Sequence, residues 1–218
     1  MTRDRLLAAG SGFAALVGAL TMLVALVAAP GPWLAGYVSE AGIAGRPFAV
    51  AYRCGLILLA VGVGLLAAAF RRIPAAGALL GLAAVLAATS GAVPCSSGCP
   101  LPPFEPTTVT DVVHAAASIA GMVSLAAAMV AVVAARVLRP ATRRLAACSA
   151  ALTVPLGGYL GLTMLFVGRG GLSALLERLL LVVAVSWLIG TAILTNLPSA
   201  TAPPSATVAR RPSGRVEI

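Results

Sequence analysis

Residues 49–93 read AVAYRCGLILLAVGVGLLAAAF, then RRIP, then AAGALLGLAAVLAATSGAV. Two apolar runs are joined by a short connection that carries Arg71 and Arg72. Each run is about 20 residues long, which an α-helix rising 1.5 Å per residue needs to cross about 30 Å of hydrocarbon. Runs of the same kind recur at 6–29, 111–135, 143–167 and 173–196, beside 49–70 and 74–93. With 60% hydrophobic and 10% charged residues in 218, a soluble fold would lack the polar surface it needs. The sequence therefore predicts an all-α, polytopic membrane protein: one six-transmembrane-helix bundle over 1–196 and a tail over 197–218. That tail is rich in Pro, Ser, Thr and Ala without an apolar period, a composition expected to be disordered. The first run is expected to stay as a helix. It is longer than a signal-peptide core, and Pro30 follows Ala28 and Ala29 where cleavage would fall.

Orientation follows from charge. All 15 basic residues are arginine. Arg3 and Arg5 precede the first run, Arg71 and Arg72 follow the second, and Arg136, Arg139, Arg143 and Arg144 lie between the fourth and fifth. Arg210, Arg211 and Arg215 lie in the tail. Positive loops stay in the cytoplasm, so this alternation predicts an inner-membrane protein with both termini cytoplasmic. Arg46, Arg53, Arg169 and Arg178 fall at the opposite, outer ends, with Glu40, Glu105, Asp111 and Glu177. The formal charge of +9 is thus a property of the cytoplasmic face and suits anionic lipid. No nucleic-acid partner is expected.

Polar residues collect at the outer boundary, where an ionisable side chain is costly and marks a site or an internal pair. Ser39 and Glu40 lie in the first loop, Arg53 near the start of the second span, and Glu177 and Arg178 near the start of the sixth. Asp111, His114 and Ser118 follow i, i+3, i+7 spacing and share one helix face. These eight residues are the candidate ligand-binding set. His114, the one histidine, with Asp111 beside it to fix its tautomer, is the candidate for general acid–base chemistry. Arg53 or Arg178 could hold a phosphate or carboxylate. The structural alternative is that both arginines pair with Glu40, Asp111 or Glu177. Thr110 and Asp111 read as the start of the fourth helix.

The loop before it reads PCSSGCP, with Cys95 and Cys99 on the oxidising side. They are expected to close a small disulfide eased by Gly98, with free thiols as the alternative. One histidine with Asp111 makes no zinc site, and neither HExxH nor a Cys2His2 spacing is present, so no metal or cofactor is expected. Cys54 and Cys148 read as small packing residues. Gly77/Gly81 and Gly157/Gly161 have the spacing of close helix contacts, within the bundle or between copies of the chain. Trp33 and Tyr37 suit the headgroup layer.

Tyr37-Val38-Ser39-Glu40-Ala41-Gly42, Arg53, and Asp111-Val112-Val113-His114 resemble the domain-of-unknown-function-998 membrane family, as do Gly171-Leu172, Glu177-Arg178 and Trp187. The likeness spans about 30–200 and rests on the order of short motifs along successive spans. A longer Gly-Leu to Glu-Arg interval and the double-cysteine loop depart from the family pattern. The resemblance implies the fold and the position of the site, and no established reaction. The leading reading is an accessory membrane protein whose outward polar pocket binds a lipid headgroup or small ligand. An alternative is a membrane-embedded enzyme on lipid-linked substrates, with His114 as acid/base, Asp111 orienting it and Arg53 holding an anionic group. A proton-coupled carrier comes third, because no ionisable residue lies near mid-span and no internal repeat is found.

Overall fold

The computed structural model describes residues 3–30, 33, 34, 36–102 and 105–197. Among them the regular structure is wholly helical: α1 Arg3–Ala28, a 3-10 turn Val38–Gly42, α2 Ala49–Ala69, α3 Pro74–Ala92, α4 Val109–Ala134, α5 Pro140–Phe166 and α6 Gly171–Asn196. All six α-helices are long and apolar enough to cross a membrane. Residues 198–218 of the tail lie outside the described residues. Pro74 and Pro140 stand in the first turn of their helices, where a missing N–H leaves no bond unmade. The fourth helix begins earlier than Thr110–Asp111. Thr108 is its cap, and the Asp111 side chain returns to the Thr108 backbone amide. The fifth helix runs on through Pro155.

Each helix packs on its neighbour in sequence, and α6 closes the ring on α1. The centre holds Leu66, Leu80, Met129, Val132, Trp187 and Leu188, all almost fully buried. Around them the interior is made largely of Ala, Gly, Ser and Thr, while Phe13, Val50, Val85, Val123 and Leu162 point outward. Large apolar groups outside and small ones inside suit a lipid solvent, where close backbone approach replaces the hydrophobic effect between helices.

The closest approaches are not at the glycines the spacing singled out. A Cβ at Gly81, Gly157 or Gly161 would meet nothing within 4 Å, and one at Gly77 would meet only Ala67 and Phe70 backbone at 3.3 Å or more. The tight contact is between α1 and α2. A Cβ at Gly18 would lie 2.6 Å from the Gly55 carbonyl oxygen, one at Gly55 2.8 Å from the Gly18 oxygen, and one at Gly62 2.9 Å from the Ala15 nitrogen. Backbone cannot yield as a flexible side chain can. Gly18→Val is therefore expected to destabilise the bundle by about 1–3 kcal/mol or more through overpacking. Gly157→Val should be silent within the protomer. Thermal unfolding of the two variants in detergent would show this difference, and equal loss in both would refute it.

Candidate functional site

At the end of the bundle where α2, α4 and α6 begin, the described residues that join α1 to α2 and α3 to α4 are, apart from the 3-10 turn Val38–Gly42, irregular connections whose amides and carbonyls have few helical partners. Near hydrocarbon such groups must be satisfied within the protein. The polar residues flagged in the sequence do this. Arg53 donates from Nε to the Gly91 carbonyl at 2.9 Å and from Nη2 to the Ala92 carbonyl at 2.7 Å. It thus places a cation on the negative end of α3. Arg178 donates to the carbonyls of Gly36, Ala174 and Trp33. The Val38 amide donates to Glu177 Oε2 at 2.7 Å. Asp111 accepts from the Ser96 amide at 2.6 Å, the Ser96 hydroxyl at 3.0 Å and the Thr108 amide at 2.8 Å. The expected pairing of Arg53 and Arg178 with Glu40, Asp111 or Glu177 therefore gives way to backbone bonds. An arginine held to a helix end or a loop carbonyl removes an orphan acceptor, which a carboxylate partner would leave exposed to apolar surroundings.

The ion pair that forms is Glu40 with Arg169. Arg169 donates from Nε at 3.0 Å to Oε1 and from Nη2 at 2.6 Å to each carboxylate oxygen. Glu40 is 6% exposed and also accepts the Tyr37 amide at 2.9 Å. The hydrogen bond to Glu40 holds the Arg169 guanidinium above its usual pKa. Arg46 stands on the other side of the same carboxylate at 4.0 Å. Arg169 was not among the candidates read from sequence, although it sits in the glycine-rich turn Gly168-Arg169-Gly170-Gly171, where Gly168 takes a left-handed φ of 79°. Tyr37 is buried within the protein, and burial pushes its phenol above its ordinary pKa.

Two cavities share Tyr37 and Arg169. One of about 250 Å³ lies among Cys99, Leu101, Glu105 and Met164. The other, about 230 Å³, lies among Leu26, Trp33, Glu40 and Arg46. Of the eight candidates, Glu40 alone lines either of them. Asp111, His114 and Ser118 face the end of α3 and the loop after it instead. His114 Nδ1 lies 2.8 Å from the Val93 carbonyl oxygen and 3.0 Å from that of Ser90. Ser118 Oγ lies 2.8 Å from Ser90 Oγ. Among the described residues no hydrogen bond joins Asp111 to His114, whose expected partnership is replaced by these contacts. Ser39 donates to Cys99 Sγ at 3.4 Å. Cys95 and Cys99 have their sulfurs in bonding contact, with Cα atoms 5.0 Å apart, a separation that suits a disulfide. A ring nitrogen of His114 and both sulfurs lie within 4.8 Å of one another.

The motifs that build this end of the bundle fall within residues 12–194, over which the chain matches the family model described as protein of unknown function (DUF998). The chain belongs to that family. The DUF998 match begins inside α1 and ends inside α6, so it takes in both irregular connections and every bond just described. No curated protein and no solved structure matches the chain.

Breaking the central pair of this DUF998 protein leaves a buried carboxylate or an idle guanidinium. Glu40→Gln and Arg169→Gln are each expected to cost about 1–3 kcal/mol. The double variant should lose less than the sum, because neither charge is then left alone. Thermal unfolding of the four proteins in detergent tests it, and strict additivity would show that the two do not act as a pair.

Proposed function

We propose that this protein is a binding or accessory component of the cytoplasmic (inner) membrane, and that it holds an anionic lipid headgroup in an outward-facing cleft. Both termini are cytoplasmic in this reading. The observation that carries it is the charge around Glu40: two guanidiniums, Arg169 at 2.6 Å and Arg46 at 4.0 Å, against one buried carboxylate. Arg46, half exposed and only 4.0 Å from that carboxylate, keeps donors free in the 230 Å³ cleft, whose walls include the apolar Leu26 and Trp33. Drug-sized ligands use cavities of about 300–1,000 Å³, so this cleft suits a compact group such as a phosphate with a small substituent. Arginine binds such oxygens with paired, charge-assisted bonds.

Orientation is supported by the opposite end of the bundle. There Arg71 and Arg72 lie 3.5 and 3.9 Å from Asp4, and Arg139 and Arg143 donate to carbonyls near the ends of α6 and α4. This arginine-rich face suits the cytoplasm.

Arg46 is the clean probe, because it is about half exposed and touches Glu40 only at 4.0 Å. In nanodiscs of mixed phosphatidylglycerol and phosphatidylethanolamine, native mass spectrometry should find anionic lipid retained. Arg46→Ala should weaken that retention by about tenfold, the worth of one charge-assisted bond. Retention that ignores Arg46 and lipid charge alike would sink the proposal, and competition by free inorganic phosphate would point to a soluble anion as ligand. For topology, Glu105→Cys should react with an impermeant maleimide from outside intact cells. Reaction only after permeabilisation would invert the orientation.

A further inference from the structure

We infer that Cys95, Cys99 and His114 form a redox-gated site for Zn(II), open when the cysteines are reduced and closed when they are joined. The inference does not rest on the headgroup reading and concerns a different part of the outer end. Three side chains of metal-ligating type, all buried, have their ligand atoms within 4.8 Å of one another. The interval Cys-x3-Cys lies in the range by which zinc sites pair their first two thiolates, and here a tight turn brings the sulfurs together. Gly98 and Cys99 both take left-handed backbone angles, φ 86° and 47°, to make that turn. His114 comes from α4, so the third ligand is supplied by a rigid helix.

The imidazole is already poised. Its Nδ1 lies within hydrogen-bond distance of two carbonyl oxygens, at 2.8 and 3.0 Å. Carbonyls only accept, so Nδ1 is the donor to them, and Nε2 is the nitrogen left to bond a metal. Metal-ligating histidines are held in this way, with the far nitrogen donating to a backbone carbonyl. Sequence alone could not reveal the grouping, because it offered Asp111 as the partner of His114. The carboxylate is instead spent on Ser96 and Thr108. Two thiolates and one neutral imidazole around Zn(II) make a complex of zero net charge, which suits a site at the edge of hydrocarbon. Cys99 also borders the 250 Å³ cavity, which leaves water access to a fourth position.

The gating step balances. A dithiol reductant delivers two electrons and two protons to the Cys95–Cys99 bond, giving two thiols and leaving the reductant as its own disulfide. Zn(II) then displaces both thiol protons to water and bonds the two sulfurs and Nε2. A disulfide oxidant reverses this: it takes two electrons from the thiolate pair and two protons from water, leaves as a dithiol, and the Cys95–Cys99 bond re-forms as Zn(II) is released.

The test uses the full chain in detergent, reduced with dithiothreitol and freed of it without air, with Co(II) as the spectroscopic probe. One Co(II) per chain with the visible bands of tetrahedral thiolate coordination is expected in the reduced protein, and none in the oxidised protein. His114→Ala should weaken binding at least about tenfold, and Cys95→Ser should cut the sulfur charge-transfer band to about half or less per bound Co(II). As a readout that needs no variant, Zn(II) should slow maleimide labelling of Cys95 and Cys99 while leaving Cys54 and Cys148 unchanged. Failure of the reduced chain to take up Co(II), undiminished binding by His114→Ala, or equal uptake by the oxidised form would each overturn the inference, as would labelling of all four cysteines indifferent to Zn(II).

Discussion

Backbone amides and carbonyls that leave a helix near hydrocarbon have no water to turn to, and this constraint governs the end of the bundle where α2, α4 and α6 begin. Two connections there are irregular, and ionisable side chains satisfy them. Arg53 closes the end of α3, Arg178 gathers three carbonyls, Glu177 takes the Val38 amide, and Asp111 ties Ser96 to the cap of α4. Without these charges the loops would need to be helical or to lie in water. With them, a compact cap stands over the ring of helices, and the cavities beside Tyr37 and Arg169 exist because that cap is fixed in place.

The membrane interior obeys a different rule. Little is gained by burying Leu against Leu when lipid is equally apolar, so the helices meet through their smallest residues. Gly18 and Gly55 set α1 against α2 at backbone distance, and the bulkier residues of both helices turn to lipid or gather about Trp187. One end of the molecule is therefore ordered by polar bonds and the middle by contact of backbone with backbone.

The number and placement of the six helices were legible because hydrocarbon thickness imposes a length that no other constraint mimics. Helix starts were less so. Thr108 and Thr110 are equally plausible caps in a string of residues, and only the return of the Asp111 side chain to the Thr108 amide decides between them. The glycine spacing did not single out the tightest contact: in a chain so rich in Gly and Ala, i, i+4 pairs also occur where a Cβ would meet nothing within 4 Å, as at Gly81, Gly157 and Gly161. The charges at the end where α2, α4 and α6 begin were recognisable as a group, but their partners were not. Charge complementarity suggested carboxylates for Arg53 and Arg178, whereas the geometry of helix ends and loops supplied carbonyls. Arg169 was hidden because its partner lies 129 residues away and no local pattern links them. The nearness of His114 to Cys95 and Cys99 likewise depends on how one loop folds back over the start of α4.

That sequence separation bears on how the molecule is made. Glu40, Val38, Gly36 and Trp33 all find their partners on Arg169, Glu177 and Arg178, which emerge from the ribosome only with the last hairpin. Without those partners the first connection has no template, and the flank of α1 that receives α6 is uncovered. One hairpin thus serves two ends: α6 and the turn before it both seal the ring against α1 and mould the loop between α1 and α2.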